Sequence, residues 1–312
     1  KEINTYTIAF EGDSNSEHLI SEKTASVIGS NHSTKMLKAN NLLEVSLKLI
    51  KKMDEPNGDR SCVPTYLLCE HARTEVTVAL GGDGGDELFS GYSRYPGLNK
   101  RLKEEDFFNA SSRLEGYFCT GLPVYSPKAI RSLNCGGPYY EEFYHSLATN
   151  LYPPVNFENG IRFVDFKSYL PGAVLSKVDR MSMQNSLEVR TPFFSPSILD
   201  LSSRLPHEFL YRGSEMKPIL RDICRSIGLR HVADLPKKGF GMPPEFMAKS
   251  RNELVERASK ALNILDKSDM CNKVIPELGS RLSRYAGENM NSLWATIVLG
   301  EWIHSMERDN VE

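Results

Sequence analysis

Residues Thr77 to Tyr95 read TVALGGDGGDELFSGYSRY. An apolar run ends in four glycines and three acids within seven residues, 81–87, and the chain then enters a stretch of helical character. Glycines permit positive φ and close backbone approach, and their exposed amides can cradle phosphate oxygens. Carboxylates crowded beside such amides call for a cation. Asp83, Asp86 and Glu87 are hard oxygen donors suited to Mg²⁺, which takes one or two protein carboxylates plus substrate phosphates. A glycine turn before an acidic helix N-terminus, favoured by the helix macrodipole, accounts for the same residues. The rest of the chain has to separate the two readings.

Upstream, the pattern alternates. "INTYTIAF" (Ile3 to Phe10) is β-branched and aromatic and predicts a buried strand. "SEHLISEKTASVIGS" carries apolar residues at helical spacing and stops on Gly29. "HSTKML" predicts a second strand. "NNLLEVSLKLIKKM" predicts an amphipathic helix capped by Asn40 or Asn41, "TYLLCEHAR" a further helix, and "EVTVAL" a third strand. Alternating strands and helices imply a parallel sheet, so 1–95 predicts part of a doubly wound α/β sheet. In such sheets ligands bind beyond the carboxyl ends of the strands, where GGDGGDE falls. Beyond about Asp106 the alternation stops. "RNELVERASKALNIL" and "NSLWATIVLGEWIHSM" have helical periodicity, and no strand is expected after Leu80.

The 312 residues carry a formal charge of -2, with 40% hydrophobic and 25% charged residues. Near-neutral charge speaks against a broad nucleic-acid surface but leaves room for a small bound anion. The six cysteines form no C-x-x-C pair and read as free thiols of a reducing cytoplasm. No apolar run approaches the roughly 20 residues of a membrane span.

Three distal segments add charge. "SYLPGAVLSKVDRMSMQNSLEVRTPF" (Ser168 to Phe193) mixes Lys177, Asp179, Arg180, Glu188 and Arg190 with apolar residues, which predicts a partly buried ion-pair network. "GSEMKPILRD" offers Lys217 and Arg221, one helical turn apart. "LPKKGFGMPPEF" sets Lys237 and Lys238 on a loop rich in Pro and Gly, where cations suit a phosphate or a developing negative charge.

Together with "DEP" (54–56), "VPTYLL" (63–68), "KKGFGMP" (237–243) and "LWATIVLGEW" (293–302), these segments resemble, in order and across nearly the whole chain, the synthetase domain of glutamine-dependent asparagine synthetases. The resemblance implies an ATP-pyrophosphatase (adenine nucleotide alpha hydrolase-like) fold. It implies an α/β nucleotide-binding part over 1–100 and a mainly helical part over 101–312. The implied reaction uses ATP and Mg²⁺. A carboxylate, by default the aspartate side chain, becomes an acyl-adenylate with release of pyrophosphate, and ammonia derived from glutamine then attacks. By the same resemblance, Ile8 contacts adenosine through its backbone, and Gly81 and Gly82, with Gly84 and Gly85 of the same loop, hold the nucleotide. Asp83 serves intermediate formation and proton handling, Asp86 helps hold Mg²⁺, and Lys217 and Lys237 stand near pyrophosphate and the adenylate. Asp179, Arg180 and Arg190 line the substrate side. An acid at 83 leans towards an intermolecular nitrogen nucleophile.

Two departures accompany the resemblance. Gly81 stands where the family carries serine, at the cost of one hydrogen bond of ~1 kcal/mol. The family's SGG-[LV]-DSS pyrophosphate loop and its N-terminal glutaminase domain are not in these residues, so the expectation is that this fragment alone is inactive as a synthetase. A different acceptor carboxylate, such as a uronic acid of a surface polysaccharide or a peptide, and a nucleotide-binding relative without catalysis remain open, as does a homodimer.

Overall fold

The computed structural model describes residues 3–13, 16–38, 42–95, 117, 124, 125, 127–133, 142, 146 and 157–309. The cap candidates Asn40 and Asn41 lie outside them. The described elements include β1 (Asn4–Phe10), α1 (His18–Ile28), β2 (Asn31–Leu37), α2 (Leu42–Ile50), α3 (Cys62–Arg73), β3 (Val78–Leu80), α4 (Gly85–Phe89), α5 (Phe157–Lys167), α6 (Ser176–Met183), β4 (Glu188–Arg190), β5 (Tyr211–Arg212), β6 (Glu215–Met216), α7 (Pro218–Ser226), α8 (Arg230–Ala233), α9 (Arg251–Lys267) and α10 (Met290–Asp309), with further helices between them.

The chain forms two compact units. The first comprises 1–37, 65–117 and 144–240; the second comprises 38–64, 118–143 and 241–312. In the first, β1 and β2 pair in parallel from Asn4↔Asn31 to Phe10↔Leu37, with α1 as the connection. α1 ends at Gly29, as the sequence predicts. β3 pairs in parallel with β4, Val78 opposite Glu188 and Leu80 opposite Arg190. β5 and β6 form an antiparallel hairpin.

The expectation of no strand after Leu80 is therefore corrected by β4, β5 and β6. β4 has three residues, two of them charged, and its partner lies more than a hundred positions away. Periodicity within a local window cannot register such a pairing. Among the described residues the strands form three two-stranded sheets rather than one continuous sheet.

α3 ties the parallel ladders together. Its buried Cys69 and Ala72 join Leu187, and Tyr6, Val76, Ala79 and Val189 pack against them. On the β1–β2 side, His71 meets the edge of the Tyr6 ring with centroids 5.6 Å apart and lies 3.0 Å from the Ser33 hydroxyl. Lys35 of β2 donates to Glu70 at 2.9 Å. Burial pushes the Cys69 thiol up to about 11, so it is an inert core group rather than a nucleophile.

The second unit is built on the predicted helical stripes. Leu254, Ala258, Ala261 and Leu265 are buried along α9, spaced three and four residues apart, and α10 buries Leu293, Trp294, Ile297 and Val298. Trp302 donates its indole N–H to the Met53 carbonyl at 2.9 Å, which satisfies its one donor. Among the described residues no helix is long and apolar enough to cross a membrane.

Candidate active site

β3 ends at Leu80, and the Gly81 amide still donates to the Arg190 carbonyl at 2.9 Å, so the parallel ladder delivers the glycine loop. Gly84 has φ 88°, in the left-handed region, and a Cβ there would run into the Phe194 ring. Only glycine meets both conditions without strain. α4 then begins, with Asp86 and Glu87 in its first turn.

The three acids take three different environments. The Asp86 carboxylate holds two cations. Lys217 Nζ lies 2.7 Å from Oδ1, and Lys237 Nζ lies 2.8 Å from Oδ2 and 3.0 Å from Oδ1. All three side chains are about a quarter exposed, so their charges are only partly screened by solvent. Asp83 is half-buried. Burial raises its carboxyl above the ordinary aspartate range, the Lys177 ammonium and a backbone hydrogen bond pull it back, and Asp86 adds to the rise. Glu87 is buried and accepts the Tyr92 hydroxyl at 2.5 Å. Its carboxyl is raised by that burial, which the Tyr92 hydrogen bond opposes. Sequence pattern groups Glu87 with the exposed oxygen donors, but α4 turns it into the protein, so it does not belong to the cation-facing set.

The lysines reach Asp86 by special backbone and by missing bulk. Lys217 has φ 54° immediately before α7, a conformation rare for a residue with a Cβ, and its carbonyl accepts the Arg221 amide at 3.0 Å. Strain of this kind gathers where a side chain must be aimed. Gly91 supplies the space: a Cβ there would overlap both the Asp86 carboxylate and the Lys217 side chain. Arg221, one helical turn from Lys217, instead donates from Nε to the Met216 carbonyl at 2.8 Å and from Nη1 to the Ala233 carbonyl. It is a brace between β6, α7 and α8.

A cavity of about 580 Å³ opens beside the cluster, lined by residues that include Thr5, Thr7, His32, Lys217, Lys237 and Lys238. The buried Ile8, paired with Lys35, is not among its lining residues. Asp179 is exposed on α6 and Arg180 is half-buried. Arg190 is exposed and donates to Glu188 at 2.8 Å. The partly buried network expected over 177–190 thus divides. The Lys177 ammonium lowers the Asp83 carboxyl through its charge, but Glu188 and Arg190 pair on the surface. β4 explains the division, because Leu187 and Val189 point into the core and their neighbours point away.

Reading by charge missed an aromatic network next to the cluster. Arg94 lies 3.7 Å from the Tyr92 ring centroid and donates to Asp165 at 2.6 Å and to the Tyr117 hydroxyl at 2.7 Å. Tyr95 and Tyr117 each donate to the same Asp165 oxygen at 2.6 Å. The only trace in sequence is the run GYSRY, whose anchor lies about 70 positions further on.

Among the described residues no three His, Cys, Asp or Glu gather as a metal site. The donor set is Asp86, with Asp83 in its field. That suits a Mg²⁺ carried largely by phosphate oxygens, and not one caged by protein alone.

The family model for asparagine synthase matches residues 1–304. The "Asparagine synthetase [glutamine-hydrolyzing] 1" of Bacillus subtilis is 26% identical, over 97% of this chain and 52% of its own length. A "Putative asparagine synthetase [glutamine-hydrolyzing]" of Mycobacterium tuberculosis is 29% identical over 77% of this chain and 41% of its own length. A further one, numbered 2, from Methanocaldococcus jannaschii is 39% identical over 29% of this chain and 17% of its own length. The chain spans about half the length of the first two of these relatives. With the match running through the glycine loop, the lysine pair and the C-terminal helix, the chain belongs to the asparagine synthase family.

Proposed function

We propose that this chain is the adenylating half of an ATP-dependent amide-forming ligase, with the aspartate side chain as the default acceptor. The observation that carries this reading is the Asp86–Lys217–Lys237 cluster beyond the carboxyl end of β3. A carboxylate resists amines until one oxygen becomes a good leaving group, and an adenylate supplies one. The acceptor oxygen attacks the α-phosphorus of ATP, the O–P bond forms, and the bond to pyrophosphate breaks. Ammonia then attacks the acyl carbon, a C–N bond forms, and AMP departs with the C–O electron pair.

The two ammoniums bind the charge that gathers on the departing pyrophosphate, acting in a partly desolvated pocket where such interactions are strengthened. Asp83 takes the proton the amine sheds. Burial raises its carboxyl above the ordinary aspartate range, which makes it a stronger base for that proton. Mg²⁺ would offset phosphate charge, and Asp86 would hold it in exchange for a lysine contact. Gly81, Gly82, Gly84 and Gly85 present backbone where a nucleotide approaches, Ile8 lies on the adenosine side, and Asp179, Arg180 and Arg190 are assigned to the acceptor side.

Because the relatives are about twice as long, the complete reaction with glutamine is assigned to the whole protein. The test is pyrophosphate release by that protein with ATP and either aspartate or a panel of uronic acids. Release with aspartate supports the reading. Release only with another carboxylate moves the acceptor, and none with any carboxylate removes the ligase assignment. These 312 residues by themselves are expected to give no ATP–pyrophosphate exchange.

A further inference from the structure

Lys237 sits on a stretch without regular structure, 236–243, and open space surrounds the Cβ positions that Gly239 and Gly241 lack. An ammonium on such a loop is not aimed by its own backbone. Asp86 fixes its distance. A second contact fixes its direction: Lys237 Nζ lies over the Tyr92 ring, 5.8 Å from the centroid. That ring is itself held from several sides. Its hydroxyl donates to the buried Glu87 at 2.5 Å, and the Arg94 guanidinium stacks on it at 3.7 Å. Tyr95 and Tyr169 meet it nearly edge-on, at 5.5 and 5.9 Å. Arg94 is anchored in turn by Asp165, which is fully buried.

We infer that Tyr92 is a positioning residue for Lys237: its ring, held against the Arg94–Asp165 pair, sets where the loop's ammonium stands for a phosphate ligand. The inference rests on the reading of Lys237 as a phosphate-side cation, and it explains why a rigid aromatic network adjoins a long, many-jointed side chain. Attraction between an ammonium and an aromatic face supplies the restoring force. Removing the ring leaves Lys237 its charge and its bond to Asp86 but lets the loop wander.

The experiment has two readouts on the full chain. Lysines are reductively ¹³C-dimethylated, which keeps their charge, and the Lys237 resonance is assigned by its loss in Lys237→Arg. Inorganic pyrophosphate is titrated calorimetrically into unmodified protein. In the wild type the Lys237 resonance is displaced by the ring. It returns towards the other lysines in Tyr92→Leu and stays displaced in Tyr92→Phe. Pyrophosphate affinity falls about tenfold in Tyr92→Leu, stays within about twofold in Tyr92→Phe, and falls no further when Tyr92→Leu is added to Lys237→Ala. Should Tyr92→Leu fail to fold, Tyr92→Met keeps bulk without a ring and takes its place. Equal losses in Tyr92→Leu with and without Lys237, or an unmoved Lys237 resonance, overturn the inference. A Lys237 resonance that responds as expected in a protein that binds no pyrophosphate upholds the positioning and sinks the phosphate reading instead.

Discussion

At the residue scale, the division of labour among three neighbouring acids is set by where α4 and the loop before it point each one. Asp86 faces two lysines, Asp83 feels the Lys177 charge, and Glu87 faces inward to Tyr92. The lysines should therefore be costly to lose. Lys217→Ala and Lys237→Ala in the whole protein each lower kcat for pyrophosphate release by about 10²–10³-fold, the scale for losing one preorganised charge partner. Unchanged turnover in either variant removes that lysine from the reaction. Asp83 gives a stability prediction of definite sign. A carboxyl whose folded-state pKa is raised destabilises the fold once it must ionise, so stability falls as pH climbs from the ordinary aspartate value of ~3.9 through the raised one. Asp83→Asn removes that penalty. It raises the urea midpoint at pH 7, by about 1 kcal/mol in stability, and the gain shrinks towards zero near pH ~3. A gain that grows with acid would reverse the assignment. The same substitution slows product formation while stabilising the chain.

At the element scale, the turn between β3 and α4 depends on Gly84, and the approach of Lys217 depends on Gly91. Gly84→Ala combines a left-handed backbone with a clash against Phe194, and it costs about 1–3 kcal/mol or more. The measurement is the chemical denaturation midpoint. Gly91→Ala is different in kind: it displaces the Asp86–Lys217 pair, so pyrophosphate binding suffers more than the midpoint does. A variant that binds as well as wild type would show that the pair does not need this closeness. Much at this scale is legible in the sequence. β1, β2, α1, α9 and α10 announce themselves because their periods are long enough to count. The glycine loop and its lysines are legible as residue types in an order, and the structure joins Asp86 to Lys217 and Lys237. β4 is not legible, since three residues carry no period. The Tyr92–Arg94–Asp165 network is not either, because Asp165 lies within an amphipathic helix, where an acid reads as part of the solvated face.

On the scale of the whole molecule, the Asp86–Lys217–Lys237 cluster and the α9–α10 core fall in different compact units. The second unit takes its stability from the α9 and α10 stripes. Leu254, fully buried on α9, is predicted to lose ~2–5 kcal/mol on truncation to alanine. Because Lys217, Lys237 and Asp86 belong to the first unit, Leu254→Ala should lower the denaturation midpoint while the folded protein keeps its pyrophosphate affinity. Loss of both together would show that the units act as one cooperative body.

The Asp86 trio has a consequence for which anions the protein selects. One carboxylate bonded to two ammoniums leaves a single net positive charge spread over three side chains. Any anion that comes to the lysines must compete with a carboxylate already in contact with them. A chloride or a lone carboxylate gains little by that exchange. A polyphosphate, with several charges along a chain, can engage both lysines at once and gains much more. On the proposed reading Asp86 would set a valence threshold against monoanions, and Asp86→Asn is predicted to make the site less discriminating rather than simply weaker, as measured by pyrophosphate affinity with and without competing chloride.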